Sequence, residues 1–424
     1  MKILDRGDVA YDSELARLAH RGDADLAQVE SAVAAIVAEV REGGDRALFA
    51  VTERIDGRRP EPLAYGPEAM ADALAQIDPA ARETMTFAAR RIRALHEHQR
   101  ESGRQFTDAD GVTLGWRVRA LDRAGIYAPG GKARYPSSVL MSAIPAQVAG
   151  VREIFVTTPR PTPEVLAAAA LSGVTRVFDL GGAVAIAALA YGTETVPRVD
   201  KIVGPGNLYV TAAKKLVFGR VAIDGLAGPS EILVVADDGA DPAVVAADLL
   251  SQAEHDEAAY PLLVTVSRAM AERVVREVES QLEVLPRKAI AAVSVREHGL
   301  AFVARDLDEA ARVATVLAAE HLALLVREPD ALFEKIGAAG AAFLGDFTPE
   351  AAGDYLAGPS HVLPTGGAVR FASPLGVYDF QVRTSVIKYP AEALARHADH
   401  IVNFARLEGL EAHARAVLAR TGRR

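Results

Sequence analysis

The feature that most constrains this chain is a rhythm. Between residues 124 and 326, short β-branched runs alternate with helical stretches. Glu153–Thr157 precedes a helical pattern over Glu164–Leu171, Arg176–Leu180 one over Val184–Tyr191, and Lys201–Val203 one over Leu208–Phe218. Ile232–Ala236, Leu262–Val266 and Leu322–Val326 continue it. Runs this apolar must be covered on both faces, and the intervening helices supply the cover. The expected class is α/β, with parallel sheets between helical layers. At 424 residues, two sheets fit better than one. Upstream, Leu26, Val29, Val33, Ile36, Val37 and Val40 recur at helical spacing until Gly43–Gly44 stops the run. A second helical pattern runs from Pro79 to about Ser102, followed by strand signals at Val112–Val118 and Gly125–Ala128. The chain reads as helical again from Ala391.

Composition narrows the function by exclusion. There is no cysteine, which removes disulfides, zinc–thiolate sites, iron–sulfur clusters and a thiol nucleophile. Net charge is 47 − 56 = −9 with no basic run, so neither nucleic acid nor an anionic membrane is an expected partner. The segment MKILDRGDVAYDSE has no apolar core of a signal peptide, and no uncharged apolar run is long enough to span a bilayer. A cytoplasmic location is the expectation.

Seven segments carry groups suited to chemistry. Pro129-Gly130-Gly131 follows a strand, with Ser137 or Ser138 placed to cap a helix; such a turn holds an anion or simply reverses the chain. Gly204-Pro205-Gly206-Asn207 joins another strand to a helix, as a nucleotide loop or a structural turn, but it is not the G-x-G-x-x-G fingerprint, which is absent. Ser230 stands at the start of a buried strand, where serines also serve as turn residues. Gln252 and His255 share one helix face and can offer oxygen and imidazole to a metal, or be a solvated helix end. Glu320-His321 sits where a helix meets a buried strand, a place for proton transfer or for a histidine that complements a helix dipole. Residues 345–367 are a long polar loop holding Asp346, Asp354, Tyr355 and His361; Asp354 is placed to complete a metal shell. Glu408 and His413 lie on a mixed-face helix near the end, and by themselves read as surface residues.

Taken in order, YAPGG, IVGPGNLYVTAAKK, AGPSEI, LLSQAEH, AAEHL, GDYLAGPSHVLPTGG and EGLEAH resemble histidinol dehydrogenase. The resemblance implies two incomplete Rossmann-like domains, a short N-terminal arm and a C-terminal helical tail. The corresponding divisions are 1–21 for the arm, 22–122 with 232–375 for one domain, 123–231 for the NAD-side domain, and 376–424 for a dimerisation tail. It also implies a homodimer whose tail completes the neighbour's site. Its zinc shell maps to Gln252, His255, Asp354 and His413. Ser230, His321 and Glu408 join those four around the substrate, Glu320 and His321 transfer protons, and Tyr127 and Asn207 match cofactor contacts. Two positions depart from the pattern: Val184 stands where the family has a glutamine that contacts NAD, and Ser360 where asparagine is usual.

The expected reaction is L-histidinol to L-histidinal to L-histidine, with two NAD reduced. His321 suits the base that removes the hydroxyl proton. The aldehyde step cannot use a thiohemiacetal in a chain without cysteine, so water must add directly, with Glu320 as its base. A dehydrogenase of another small polyol or amino alcohol, and a non-catalytic binding homologue suggested by Val184, stay open at this stage.

Overall fold

A computed structural model describes residues 1–21, 26–130 and 135–422; Gly131, one of the glycines singled out above, lies outside them. The larger of two compact units comprises Met1–Gln99 and Leu121–Phe380. It contains two sheets of six strands each.

The first sheet is wholly parallel, in the order Lys2–Asp5, Leu300–Val303, Tyr260–Thr265, Glu231–Ala236, His321–Leu325, Ala341–Leu344. The alternation of strand side chains divides its core in two. Ile232, Val234 and Ala236 pack with Val245, Leu249, Val274 and Val278 from the helices Pro242–Ala253 and Arg268–Leu282. Leu233 and Val235 face the other way, onto Tyr11 and Leu18 of Ala10–Ala19 and Val313 and Leu317 of Leu307–Leu317. The first residues of the chain thus form an edge strand and a covering helix.

The second sheet runs Ala64–Tyr65, Arg176–Phe178, Glu153–Thr157, Arg123–Tyr127, Lys201–Val203, Ala222–Ile223, parallel except at the Ala64–Tyr65 edge. In both sheets the chain builds outward on one side of a central strand and then crosses to the other. The crossing points lie between Glu231–Ala236 and His321–Leu325, and between Arg123–Tyr127 and Lys201–Val203. The helical run that stops at Gly43–Gly44 restarts at once: Gly44 is non-helical (φ 56°) inside Ala27–Asp56, and a Cβ there would meet the Glu194 carboxylate. The helix after Tyr127 begins at Pro136, so Ser137 and Ser138 lie within its first turn rather than capping it. Proline suits that first position because it has no N–H to leave unpaired.

The second unit comprises Arg100–Ala120 and Gln381–Arg424. Gln381–Lys388, Thr113–Ala120 and Arg104–Thr107 make an antiparallel sheet, with Asp108 Oδ1 accepting from Asp110 and Val112 N–H in the hairpin turn. The helices Ala391–Leu407 and Glu411–Thr421 follow and pack through Val402, Ala405 and Ala414. No helix of the described residues is long and apolar enough to cross a membrane.

Candidate active site

The reactive side chains gather at the amino ends of the first sheet. Glu231 and His321 each open a strand, and Ile232 pairs in register with His321. Glu231 N–H donates to Glu320 Oε2 (2.9 Å), and Glu320 N–H returns a bond to Glu231 Oε2 (3.3 Å). His321 Nδ1 lies 2.9 Å from the Glu231 carbonyl oxygen. A carbonyl can only accept, so Nδ1 carries the proton and, in the neutral ring, Nε2 holds the lone pair.

The helix Pro242–Ala253 runs back to the same end and delivers Gln252 and, just beyond it, His255. The short helix Glu350–Tyr355 places Glu350 and Asp354 one turn apart on one face. Their carboxylates stand 3.5 and 3.8 Å from His321 Nε2. These are too long for normal hydrogen bonds. His321 Nε2, Glu350 Oε1 and Gln252 Nε2 are buried without a hydrogen-bond partner. The ligand atoms of His321, Glu350 and Asp354 all lie within 4.8 Å of one another. His361 is anchored beside them, Nδ1 2.9 Å from the Asp354 carbonyl and Nε2 3.2 Å from Ser138 Oγ.

Burial and charge set the protonation here. Burial pushes Asp354 upward, but His321, His361 and His255 outweigh it and hold its carboxylate down to about 2. Burial lowers His255 and His361, favouring the neutral imidazole that binds metal. Burial raises Glu350 to about 7, helped by Asp354. Burial also raises Glu320; for His321 burial works downward, and the surrounding carboxylates overcome it. Neutral imidazole, carboxylate and amide in one pocket, with orphaned polar atoms, form a nitrogen–oxygen donor set that suits zinc.

Ser230, Glu320 and His361 are among the residues that line a cavity of about 770 Å³. Its walls also include Pro205, Phe218, Asp224, Leu226 and Phe371. Pro205 belongs to the loop at the carboxyl end of Lys201–Val203, next to the second sheet's crossing point. Gly204 there adopts φ 111°, and a Cβ would come within 2.1 Å of the Tyr127 carbonyl oxygen, so only glycine fits. Asp224 accepts from Gly204 N–H (2.7 Å), and Lys214, paired with Asp224, donates to the Gly204 carbonyl (3.1 Å). Asn207 caps the helix Leu208–Val217 through Val210 N–H. Tyr127 is buried, its hydroxyl accepting from Gly182 N–H (3.2 Å) at the start of Gly182–Tyr191. Val184, in the same first turn, is 3% exposed and packs in the apolar core. Tyr127, Asn207 and Val184 thus share the carboxyl end of the second sheet. A close glycine turn and two helix N-termini at a crossing point suit the phosphates of a dinucleotide. Glu408 and His413 are exposed in the second unit.

A histidinol dehydrogenase family model matches residues 19–421. The chain belongs to that family. It is 50% identical over 424 residues to a histidinol dehydrogenase of Aquifex aeolicus, covering 99% of each chain, and 51% identical over 426 residues to one of Syntrophotalea carbinolica, again covering 99% of each. Its fold matches the crystal structure of histidinol dehydrogenase from Elizabethkingia anophelis with a TM-score of 0.93 at 34% identity, covering 99% and 98% of the two chains. The two doubly wound sheets and C-terminal helices are therefore the family fold, and the chain is a dehydrogenase.

Two participants went unnoticed in the sequence. Glu231 is a charged residue opening the run EILVVA, and a charge inside such a run must have a buried partner. Glu350 precedes Asp354 by four residues, the spacing of one helix face.

Proposed function

We propose that this chain oxidises L-histidinol through L-histidinal to L-histidine, reducing two NAD, as the last steps of histidine biosynthesis. The observation that carries the reading is His321. Its Nδ1–H is tied to a main-chain carbonyl, and its Nε2 faces the carboxylate pocket unpaired. The surrounding carboxylates favour the protonated ring, so His321 becomes a base for the hydroxyl proton, as hydride leaves the carbinol carbon, once a bound cation offsets their charge. Glu320, lining the cavity one residue away, takes the proton of the water that hydrates the aldehyde. Gln252, His255 and Asp354 would hold zinc with the partner subunit's His413, in a homodimer. A zinc ion held there would supply a Lewis acid and would offset the charge of the carboxylate-rich pocket. Ser230 and the partner subunit's Glu408 complete the substrate's surroundings. Tyr127 and Asn207 flank NAD, and Val184 stands at the same loop. The location is cytoplasmic.

The test is NAD reduction with L-histidinol after chelation and after reloading with zinc. The zinc-loaded protein should form two NADH per substrate, and prolonged chelation should abolish turnover. Absence of NADH from zinc-loaded protein at saturating NAD would sink the reading; full activity without metal would remove zinc from it.

A further inference from the structure

Beside Glu320 and His321 lies a buried ion pair, neither member of which lines the cavity. Arg21 and Glu231 are each 1% exposed at the side chain and meet as a fork, Nε to Oε1 at 2.9 Å and Nη2 to Oε2 at 2.6 Å. Burying such a pair gives little net stability over apolar packing, so its presence asks for another reason. The hydrogen bonds of Glu231 supply one. Oε1 also takes Gly366 N–H (2.7 Å), from the loop that walls the cavity. Oε2 also takes Glu320 N–H, while the main-chain N–H of Glu231 holds the Glu320 carboxylate. Its main-chain oxygen holds His321 Nδ1. Arg21 Nη1 reaches the Leu18 and Leu317 carbonyls, both at 2.7 Å, at the ends of the two helices covering that face.

We propose that the Arg21–Glu231 pair is a positioning unit that orients Glu320 and sets the tautomer of His321. The proposal rests on the proton-transfer reading of those two residues. One residue thereby aims the acid and fixes which imidazole nitrogen is free. Arg21 holds the Glu231 carboxyl group in place by a two-pronged bond, so that its oxygens meet the Glu320 and Gly366 amides. Without the guanidinium, the Glu231 carboxyl group would lose both arms of its fork and the starts of both strands would loosen.

The test uses zinc-loaded enzyme and two variants, Glu231→Gln and the double variant Arg21→Met/Glu231→Gln. The double variant leaves no unpaired buried charge and so guards against simple misfolding. Turnover is measured per active site, for histidinol and for histidinal, across pH. The His321 Nδ1–H resonance is followed by ¹⁵N-histidine NMR. Misplacing a base by about 1 Å costs on the order of 100-fold. Both variants should therefore lose about that factor in kcat for both steps, with KM for histidinol and NAD within about threefold, an altered pH profile, and a shifted or lost Nδ1–H resonance. A purely structural pair would lower the amount of folded enzyme and leave the pH profile of what remains unchanged. Wild-type kcat and an unchanged resonance in a folded double variant would overturn the proposal. If wild-type protein fails to oxidise histidinol, the functional reading falls, and the resonance alone decides the positional one.

Discussion

In the second sheet, the segments suited to a ligand leave the carboxyl ends of the strands: Tyr127, the Gly181–Gly182 turn and Gly204–Asn207. The first sheet has the same winding, with its crossing point in the same place, yet its reactive residues sit at the amino ends. The difference follows from which helix ends each crest collects. Carboxyl ends meet helix N-termini, rich in free N–H groups and partially positive, and suit a phosphorylated cofactor. Amino ends meet helix C-termini, partially negative, as where Pro242–Ala253 delivers Gln252 and His255. Adding Glu231, Glu320, Glu350 and Asp354 makes that crest suited to cations. The first sheet's own carboxyl crest is occupied otherwise, by ion pairs joining Arg6 and Arg305 to Glu309 and Arg268 to Asp5. Similar windings therefore leave the choice of chemistry to which crest stays open.

If the division holds, changes at the amino crest should strike turnover and spare cofactor binding. His321→Asn should lower kcat by ~10²–10⁴-fold in both oxidations, whereas Glu320→Gln should harm mainly the aldehyde step. NAD affinity, read by fluorescence titration, should not move in either. Histidinal oxidation at the wild-type rate by Glu320→Gln would remove Glu320 from its role.

A second experiment asks whether the amino crest is finished by a neighbouring chain. Inactive His413→Ala and His321→Asn proteins, mixed and allowed to exchange, should regain activity, because one site of each mixed dimer is intact. Random exchange should restore about a quarter of all sites in a two-fold dimer. No recovery after proven exchange would mean that His413 acts within its own chain.

At the carboxyl crest of the second sheet, effects should be smaller and confined to NAD. Val184→Gln restores a hydrogen-bonding side chain there. One such bond is worth ~0.5–1.5 kcal/mol, so KM for NAD should fall by up to about tenfold, with KM for histidinol unchanged. An equal change in both constants would mean that the two crests are not separate.

The least effect should come from the first sheet's carboxyl crest. Bonds from Arg305 and Arg6 outweigh burial and hold Glu309 down to about 2. A depressed acid stabilises the fold above its ordinary value of 4.5 and loses that contribution as pH falls toward 2. Glu309→Gln should therefore cost at most about 1 kcal/mol at pH 7, given the exposed Arg305, and leave kcat alone. Its stability curve should converge on wild type between pH 4.5 and 2. A fall in kcat would bring this crest into the chemistry.

Much of the scaffold was legible because buried strands must be apolar throughout: Glu153–Thr157, Lys201–Val203 and Ile232–Ala236 all lie in strands. Lys2–Asp5 was not, since four residues with two apolar ones signal nothing until a distant partner is known. Gln381–Lys388 was missed likewise, its pairing with Thr113–Ala120 set by chain return rather than local pattern. At the site, Gln252, His255, Glu320, His321 and Asp354 stood out as ligand or acid–base types in telling places. Arg21 and Glu231 did not, because their role lies in each other and no local spacing relates residues so far apart.

The same separation has a consequence for how the molecule is made. Among the described residues Lys2–Asp5 pairs only with Leu300–Val303, so this strand emerges from the ribosome without its neighbour. At ~5–20 residues per second, the roughly 300 intervening residues take about 15–60 s to synthesise. Arg21 similarly waits for Glu231, and Glu231 for His321. The strands of the second sheet all lie before residue 224 and can pair meanwhile. The second sheet is thus complete early in synthesis, and the first sheet closes later, when Lys2–Asp5 docks against residues made roughly 300 positions after it.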